Sequence, residues 1–448
     1  MGWTAGWQAA TGHTLPPSNP PREAGFEGQA ERIARHRMGT VTIVVRDWQG
    51  RLVPAAAVRI EQVRHAFLFG SNCFLWSQPA APELERLYRE AFARLFNAAT
   101  LGFYWHTYEP VRGAPRYAQT EEVLAWCREH ELVCKGHPLA WANLPDPAWL
   151  PDDHREIGEL SLGRVTDIVG RFRGRIGLWD VVNEPSLLLW AGTRHGGWAQ
   201  AIGTQAYVSE HLRAARAADP DARLLVNEVL TAYPSYSVLD ALRDGSGRPL
   251  FDAVGIQSHM HLGPWAPRYV WEVCERYARL GRPLHFTEFT VLSGERLPGG
   301  RWGPTRFEYE VMQGDAVPAL YSLLFSHPAV EAVTWWDLSD RGAWKGAAGG
   351  LLRSDMSPKP AYERLEDLIK RQWWTRVRGE TNPQGAFAFR AFYGRHRACV
   401  RPPAGREVRL EFECLREADN VVEIVIPENG FATTLSQTPG FPLPSPDP

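Results

Sequence analysis

The chain has 448 residues, 44% apolar and 22% charged, the balance of a folded protein with a sizeable core. Its 49 basic and 51 acidic residues leave a formal charge of −2. That excludes the electrostatic footprint of a nucleic-acid or anionic-membrane binder, and no apolar run approaches the roughly 18 residues of a membrane span.

Residues 1–38 are rich in Gly, Pro and Arg and read as a loosely ordered lead-in. They lack the basic start and apolar run of a signal peptide, so the protein is expected to be either secreted after removal of such a peptide or cytoplasmic. Val41, Ile43 and Val45 alternate with Thr42 and Val44, Gln49-Gly50 makes a turn, and Val58 and Ile60 resume the alternation. This predicts an N-terminal β-hairpin.

From about residue 66 to 370, short β-rich runs alternate with longer amphipathic stretches. Strands are predicted at 66–70, 97–103, 132–136, 176–182, 223–227, 253–258, 284–288 and 332–336. Helices are predicted at 82–95, 118–130, 155–173, 198–218, 267–280, 307–326 and 360–370. Eight strands, each followed by helical or loop text, predict an α/β fold, a (β/α)8 TIM barrel. After Trp373-Trp374 the text turns to short strands through residue 426, a small C-terminal antiparallel β domain, and the end from Pro427 is Pro-rich and irregular. The expected division is 1–63, 64–372 and 373–448.

Lysine occurs only at positions 135, 345, 359 and 370, a bias toward arginine. Six cysteines are spread along the chain with no CxxC or Cys/His cluster, so no zinc site, other metal or cofactor is expected. Most read as buried thiols; whether Cys399 and Cys414, both in strand-like text, pair is left open. The 19 tryptophans are either core or a stacking surface for a flat ligand.

In a barrel of this kind reactive groups stand at the C-terminal ends of the strands. The fourth strand ends in Asn183-Glu184-Pro185 and the seventh carries Glu288. Two carboxylates across a cleft are what cleavage of a glycosidic bond requires, one to protonate the leaving oxygen and one to engage the anomeric carbon.

The runs WDVVNEP (179–185) and HFTEF (285–289) resemble the acid/base and nucleophile motifs of glycoside hydrolase family 10, the endo-β-1,4-xylanase family. GHPLAW (136–141), GIQSH (255–259), VTWWDLSD (333–340) and PKPAY (358–362) are similar to further motifs of that family in the same order, and WHTYEP (105–110) matches in part. The resemblance covers about residues 64–370. It implies a retaining endo-β-1,4-glycanase that hydrolyses xylan by double displacement, with Glu184 as acid/base and Glu288 as nucleophile. Asn183 then matches the residue that holds the sugar 2-hydroxyl. His259 matches the partner of the nucleophile, and Gln257 its neighbour beside the acid/base. His137, Trp141, Trp336 and Trp344 match the lining of the sugar site next to the cleaved bond. Glu288 needs hydrogen-bond donors to stay ionised, and His259 and Asn183 are expected to be those donors.

On the fifth strand Asn227-Glu228 is similar to the family's pair, but Val229 follows where an aromatic is common, and after Trp141 the chain has Ala142 and Leu144 in place of the family's His and Gln. Three further positions depart before the second-strand tryptophan. Thr100, Leu101 and Tyr104 stand where it has Glu, Asn and Lys before the tryptophan of the second strand. This motivates an alternative substrate, a decorated chain or another β-linked glycoside, with Tyr104 a substrate-binding residue. A remote alternative is a sugar-binding protein that has lost catalysis. His259-Met260-His261 also reads, more remotely, as a metal pair on one strand face. Phe387, Phe389, Phe392 and Tyr393 are read as core of the C-terminal domain. The partner implied is a β-linked polysaccharide or oligosaccharide, with no nucleic acid and no membrane.

Overall fold

The computed structural model describes residues 27–76, 81–229, 231–428 and 433–434. The expected lead-in up to residue 26 and nearly all of the Pro-rich end lie outside them. Contacts divide the chain into two units: Leu68–Arg364, and Gly28–Phe67 together with the residues from Leu365 on.

The second unit is β-rich and built from both ends of the chain. Strands β1 (Met38–Asp47) and β2 (Ala57–His65) come from the N-terminal side. The predicted turn at Gln49-Gly50 forms, and Arg46 bridges Leu52. The hairpin ends there. Pro54 and Ala55, whose φ is 53°, redirect the chain, and β2 enters a different sheet. The segment before β1 is also not loose: Gln29–Arg37 is a helix.

Between β2 and the C-terminal strands lies the barrel, the first unit. Its eight strands are β3 (Leu68–Asn72), β4 (Ala98–Gly102), β5 (Val133–His137), β6 (Leu178–Asn183), β7 (Arg223–Glu228), β8 (Ala253–Met260), β9 (Leu284–Val291) and, after a short hairpin of β10 (Gly294–Arg296) and β11 (Trp302–Thr305), β12 (Val330–Trp335). They close in the order β12-β3-β4-β5-β6-β7-β8-β9. Every pair is parallel, so the strands are covered on both faces, which is why β6 and β9 are buried at every position. The predicted helices alternate with them, and two more were not predicted, Trp105–Tyr108 and Tyr233–Asp240. The stretch expected as one helix over 198–218 is two, Arg194–Ile202 and Thr204–Ala218, broken at Gly203, whose φ is 83°.

The C-terminal strands are β13 (Arg376–Glu380), β14 (Ala386–Phe392), β15 (Gly394–Arg401), β16 (Val408–Cys414), β17 (Asn420–Ile426) and β18 (Thr433–Thr434). They join β1 and β2 in two four-stranded sheets, β14-β1-β17-β18 and β13-β2-β15-β16. The alternating Val41, Ile43 and Val45 pack with Val58, Ile60, Phe389, Val400, Phe412 and Ile424 into one core. Phe387 and Tyr393 flank it, as expected for core rather than sugar-binding aromatics. Cys399 and Cys414 are buried free thiols and form no disulfide with each other.

Candidate active site

Glu184 follows the last residue of β6 with φ 54° and ψ 45°. A non-glycine residue in this left-handed region is strained and persists where its surroundings fix it. Here its N–H donates to the Asn227 carbonyl at 2.8 Å. Its carboxylate accepts from Gln257 Nε2 at 3.0 Å and Trp141 Nε1 at 3.1 Å. Burial pushes this carboxyl up to about 8; Gln257 and Trp141 pull it down, and the charges of Glu288 and Glu228 push it further up. Near neutrality it therefore carries a proton.

Glu288 lies on β9 beside a register shift in the β8–β9 ladder, where Gln257 pairs with Glu288. His259 Nε2 lies 2.8 Å from one carboxylate oxygen and Asn227 Nδ2 donates to the other at 2.7 Å. The Thr290 hydroxyl is 3.1 Å from His259 Nδ1, so the network assigns the histidine proton to Nε2, facing the carboxylate. Burial works to raise the Glu288 carboxyl, but the His259 hydrogen bond, the nearby His137 and Asn227 outweigh it and hold it below its ordinary value. Both nitrogens of His259 are thus engaged within the site.

Asn227, near the end of β7, is the amide that donates to Glu288, a contact expected of Asn183. Its amide bridges Glu288 and the Asn183 side-chain oxygen, the latter at 2.7 Å, while its own oxygen accepts from Thr287. Asn183 is an acceptor in this network, its amide oxygen turned toward Asn227 and Gln257. The arrangement requires Gly255 on β8: a Cβ there would stand 2.6 Å from Asn227 Oδ1.

His137, at the end of β5, places Nε2 3.9 Å from Glu288 and is held from behind by Asp180 at 2.8 Å. Asp180 is fully buried, also pairs with Lys135 Nζ at 2.8 Å, and is held down at about 2, burial being outweighed chiefly by the Lys135 charge. Trp336 is buried, edge-on to His137 at 5.3 Å and His259 at 6.0 Å. Trp344 is 40% exposed and stacks on His259 at 4.5 Å. Its loop is pinned by its own N–H donating to Asp337 at 3.0 Å.

Of the three departures before the second-strand tryptophan, Thr100 and Leu101 are buried within β4. Tyr104 reaches the site, its ring 5.6 Å from His137, 6.1 Å from Trp141 and 5.6 Å from Phe74. Burial, then the charges of Glu288, Asp337 and Glu184, push its hydroxyl well above its ordinary value. Trp105 lies behind it, buried against Trp149 and His195.

All ten residues singled out from the sequence therefore stand at the C-terminal mouth of the barrel. The contacts of Asn227, Asp337 and Asp180 are not legible in the sequence, although all three lie inside stretches that resemble the family's motifs.

The family model Glycosyl hydrolase family 10 matches residues 75–368. The chain belongs to glycosyl hydrolase family 10. Within the family it is 30% identical over 322 residues to endo-1,4-beta-xylanase B of Thermotoga neapolitana, which spans 68% of this chain and 88% of the relative. It is 27% identical over 390 residues to an anti-sigma-I factor of Acetivibrio thermocellus, covering 83% of this chain and 46% of that protein, so it spans about half of that relative's length. The crystal structure of native xylanase 10B from Thermotoga maritima superposes with a TM-score of 0.57 at 25% identity, covering 68% of this chain and 96% of the other. The barrel is a xylanase-like glycoside hydrolase domain of this family.

Proposed function

We propose that the protein cleaves β-1,4-linked xylan internally, by double displacement with retention of configuration. The observation that carries this is the split between two buried carboxyls in one cleft: Glu184 raised to about 8 and Glu288 held below its ordinary value. A protonated Glu184 gives its proton to the leaving oxygen while ionised Glu288 attacks the anomeric carbon and forms a glycosyl ester. Deprotonated Glu184 then takes a proton from water, which releases the sugar. His259 and Asn227 keep Glu288 charged and aimed. Trp336 and Trp344 offer faces to the pyranose. The internal mode and xylan itself are supported by the endo-1,4-beta-xylanases among the relatives.

NMR of the first-formed product tests the mechanism. The β-anomer is expected; the α-anomer appearing first would overturn it. Retention goes with carboxyl groups about 5–5.5 Å apart.

Tyr104 favours a second reading of the substrate. An aromatic ring packed on Trp141 and His137 replaces polar groups at one end of the sugar site, and sugar hydroxyls lose partners worth about 1–3 kcal/mol each. A decorated chain or another β-glycoside is then the better substrate. Rates on unsubstituted xylan, glucuronoarabinoxylan, mixed-linkage glucan and aryl β-xylosides and β-glucosides separate the two.

A further inference from the structure

The hairpin β10–β11 follows the nucleophile strand directly and is firmly held at its base. Ser293 and Thr305 share a hydrogen bond of 2.8 Å, Glu295 pairs with Arg306, and Lys359 donates to Ser293 at 2.8 Å. Gly294 lets the two strands approach, since a Cβ there would meet the Gly303 carbonyl at 2.6 Å. The register sets Trp302 opposite Arg296.

This places the Trp302 indole, partly exposed, 5.6 Å from the ring of His261. His261 in turn stacks on His259 at 5.2 Å and lies 5.2 Å from Trp344. Trp302, His261, Trp344 and His259 thus form a continuous aromatic wall that begins at the hydrogen-bond partner of Glu288 and runs outward. Two cations lie on it. Lys345 Nζ is 4.0 Å from the centre of the Trp344 ring, and the Arg296 guanidinium 6.0 Å from that of Trp302. Both side chains are exposed, and among the described residues neither is paired with a carboxylate. Lys345 is close enough for its charge to bear on both Glu184 and His261, which puts it over the cleft. His261 is kept neutral, mainly by burial, so its ring adds a face and not a third charge.

An indole face takes the apolar face of a pyranose, and a free cation beside it takes an anion. Two such pairs side by side call for both features in one ligand. We propose that this wall determines specificity by receiving a pyranose that bears a carboxylate, a uronic acid unit of the glycan, with its ring against Trp302 or Trp344 and its carboxylate on Arg296 and Lys345. The proposal rests on reading the cleft as that of a β-glycan hydrolase.

The test compares xylotetraose with the same tetrasaccharide carrying one glucuronic acid branch. Cleavage is measured with the full chain and with the Arg296→Ala/Lys345→Ala double variant, and binding with Glu288→Gln alone and combined with the double substitution. The parent should favour the acidic sugar in both assays, and the double substitution should lower the acidic-to-neutral ratio about tenfold or more. Added salt should weaken acidic binding in the parent and not in the double variant. Equal handling of the two sugars by the parent, or a ratio unchanged by the double substitution, overturns the proposal while cleavage of xylotetraose leaves the hydrolase reading standing. Selective binding of the acidic sugar without cleavage of either does the reverse. Trp302→Ala checks the wall separately: weaker binding of both sugars supports it, and unchanged binding removes Trp302 from it.

Discussion

Glu184 and Glu288 are the same side chain, buried in the same cleft, and differ in the donors around them. Glu184 has two neutral donors against the cost of burial; Glu288 has a histidine on one oxygen and an amide on the other. The sign of each shift gives the pH profile. kcat/KM should fall as pH rises through about 8, where Glu184 loses its proton, and should fall on the acid side only below the range in which an ordinary carboxyl titrates, since Glu288 is held below it by His259, His137 and Asn227. Glu184→Gln should remove the basic limb and lower kcat about 10²–10⁴-fold on a poor leaving group, with a much smaller loss on an activated aryl glycoside. The same variant carries a stability signature. A group with a raised folded pKa opposes folding once it must ionise, and is neutral in both states well below the ordinary range. Glu184→Gln should therefore melt above the parent near pH 9 and level with it near pH 4. The rarity of lysine also acquires a residue-scale meaning. Two of the four are buried point charges, Lys135 on Asp180 and Lys359 on Asp340 at 2.7 Å. Lys135→Met should cost about 3–5 kcal/mol by removing the full charge that faces buried Asp180 and leaving it only His137, read as a lower unfolding midpoint.

At the scale of elements, the barrel strands were readable because burial on both faces leaves a continuous apolar run, and the acids were readable because each stands where such a run meets the mouth. What the sequence hid has physical causes too. Asn227 and Asn183 each end an apolar run, and only the register of four neighbouring strands decides which amide faces Glu288. Strands β10 and β11 are three and four residues long, too short for a period to show. The helix Gln29–Arg37 is a run of polar residues with little apolar periodicity. The glycines of two motifs explain themselves once the strands are paired. A Cβ at Gly136 would lie 2.1 Å from the Trp179 ring, so Gly136→Ala should destabilise by at least the 1–3 kcal/mol typical of overpacking, roughly estimated, and be seen as a lower melting temperature. Gly255→Ala instead strikes Asn227, and its expected mark is catalytic: lower kcat with the acid limb moved to higher pH as Glu288 loses a donor.

For the whole molecule, the expectation of an N-terminal hairpin and a separate C-terminal β domain gives way to a single unit whose two sheets each take a strand from either side of the barrel. Sequence patterning located nearly every strand but could not name partners so far apart in the chain. Cutting the chain after residue 372 would strip β1 of both its neighbours, β14 and β17, and β2 of β13 and β15. Unpaired apolar strands associate. The truncated chain should aggregate or refold in markedly lower yield than the full chain, as measured by light scattering, even though every residue of the cleft is retained.

The same interleaving sets an order of events during synthesis. β2 is complete at His65 and its first partner, β13, begins at Arg376. At about 5–20 residues per second those strands wait roughly 15–60 s on the ribosome before anything can pair with them. The barrel, whose strands each find a neighbour soon after they emerge, has time to close first. Chaperone demand should then fall on the N-terminal segment of the nascent chain and end only when the last strands arrive.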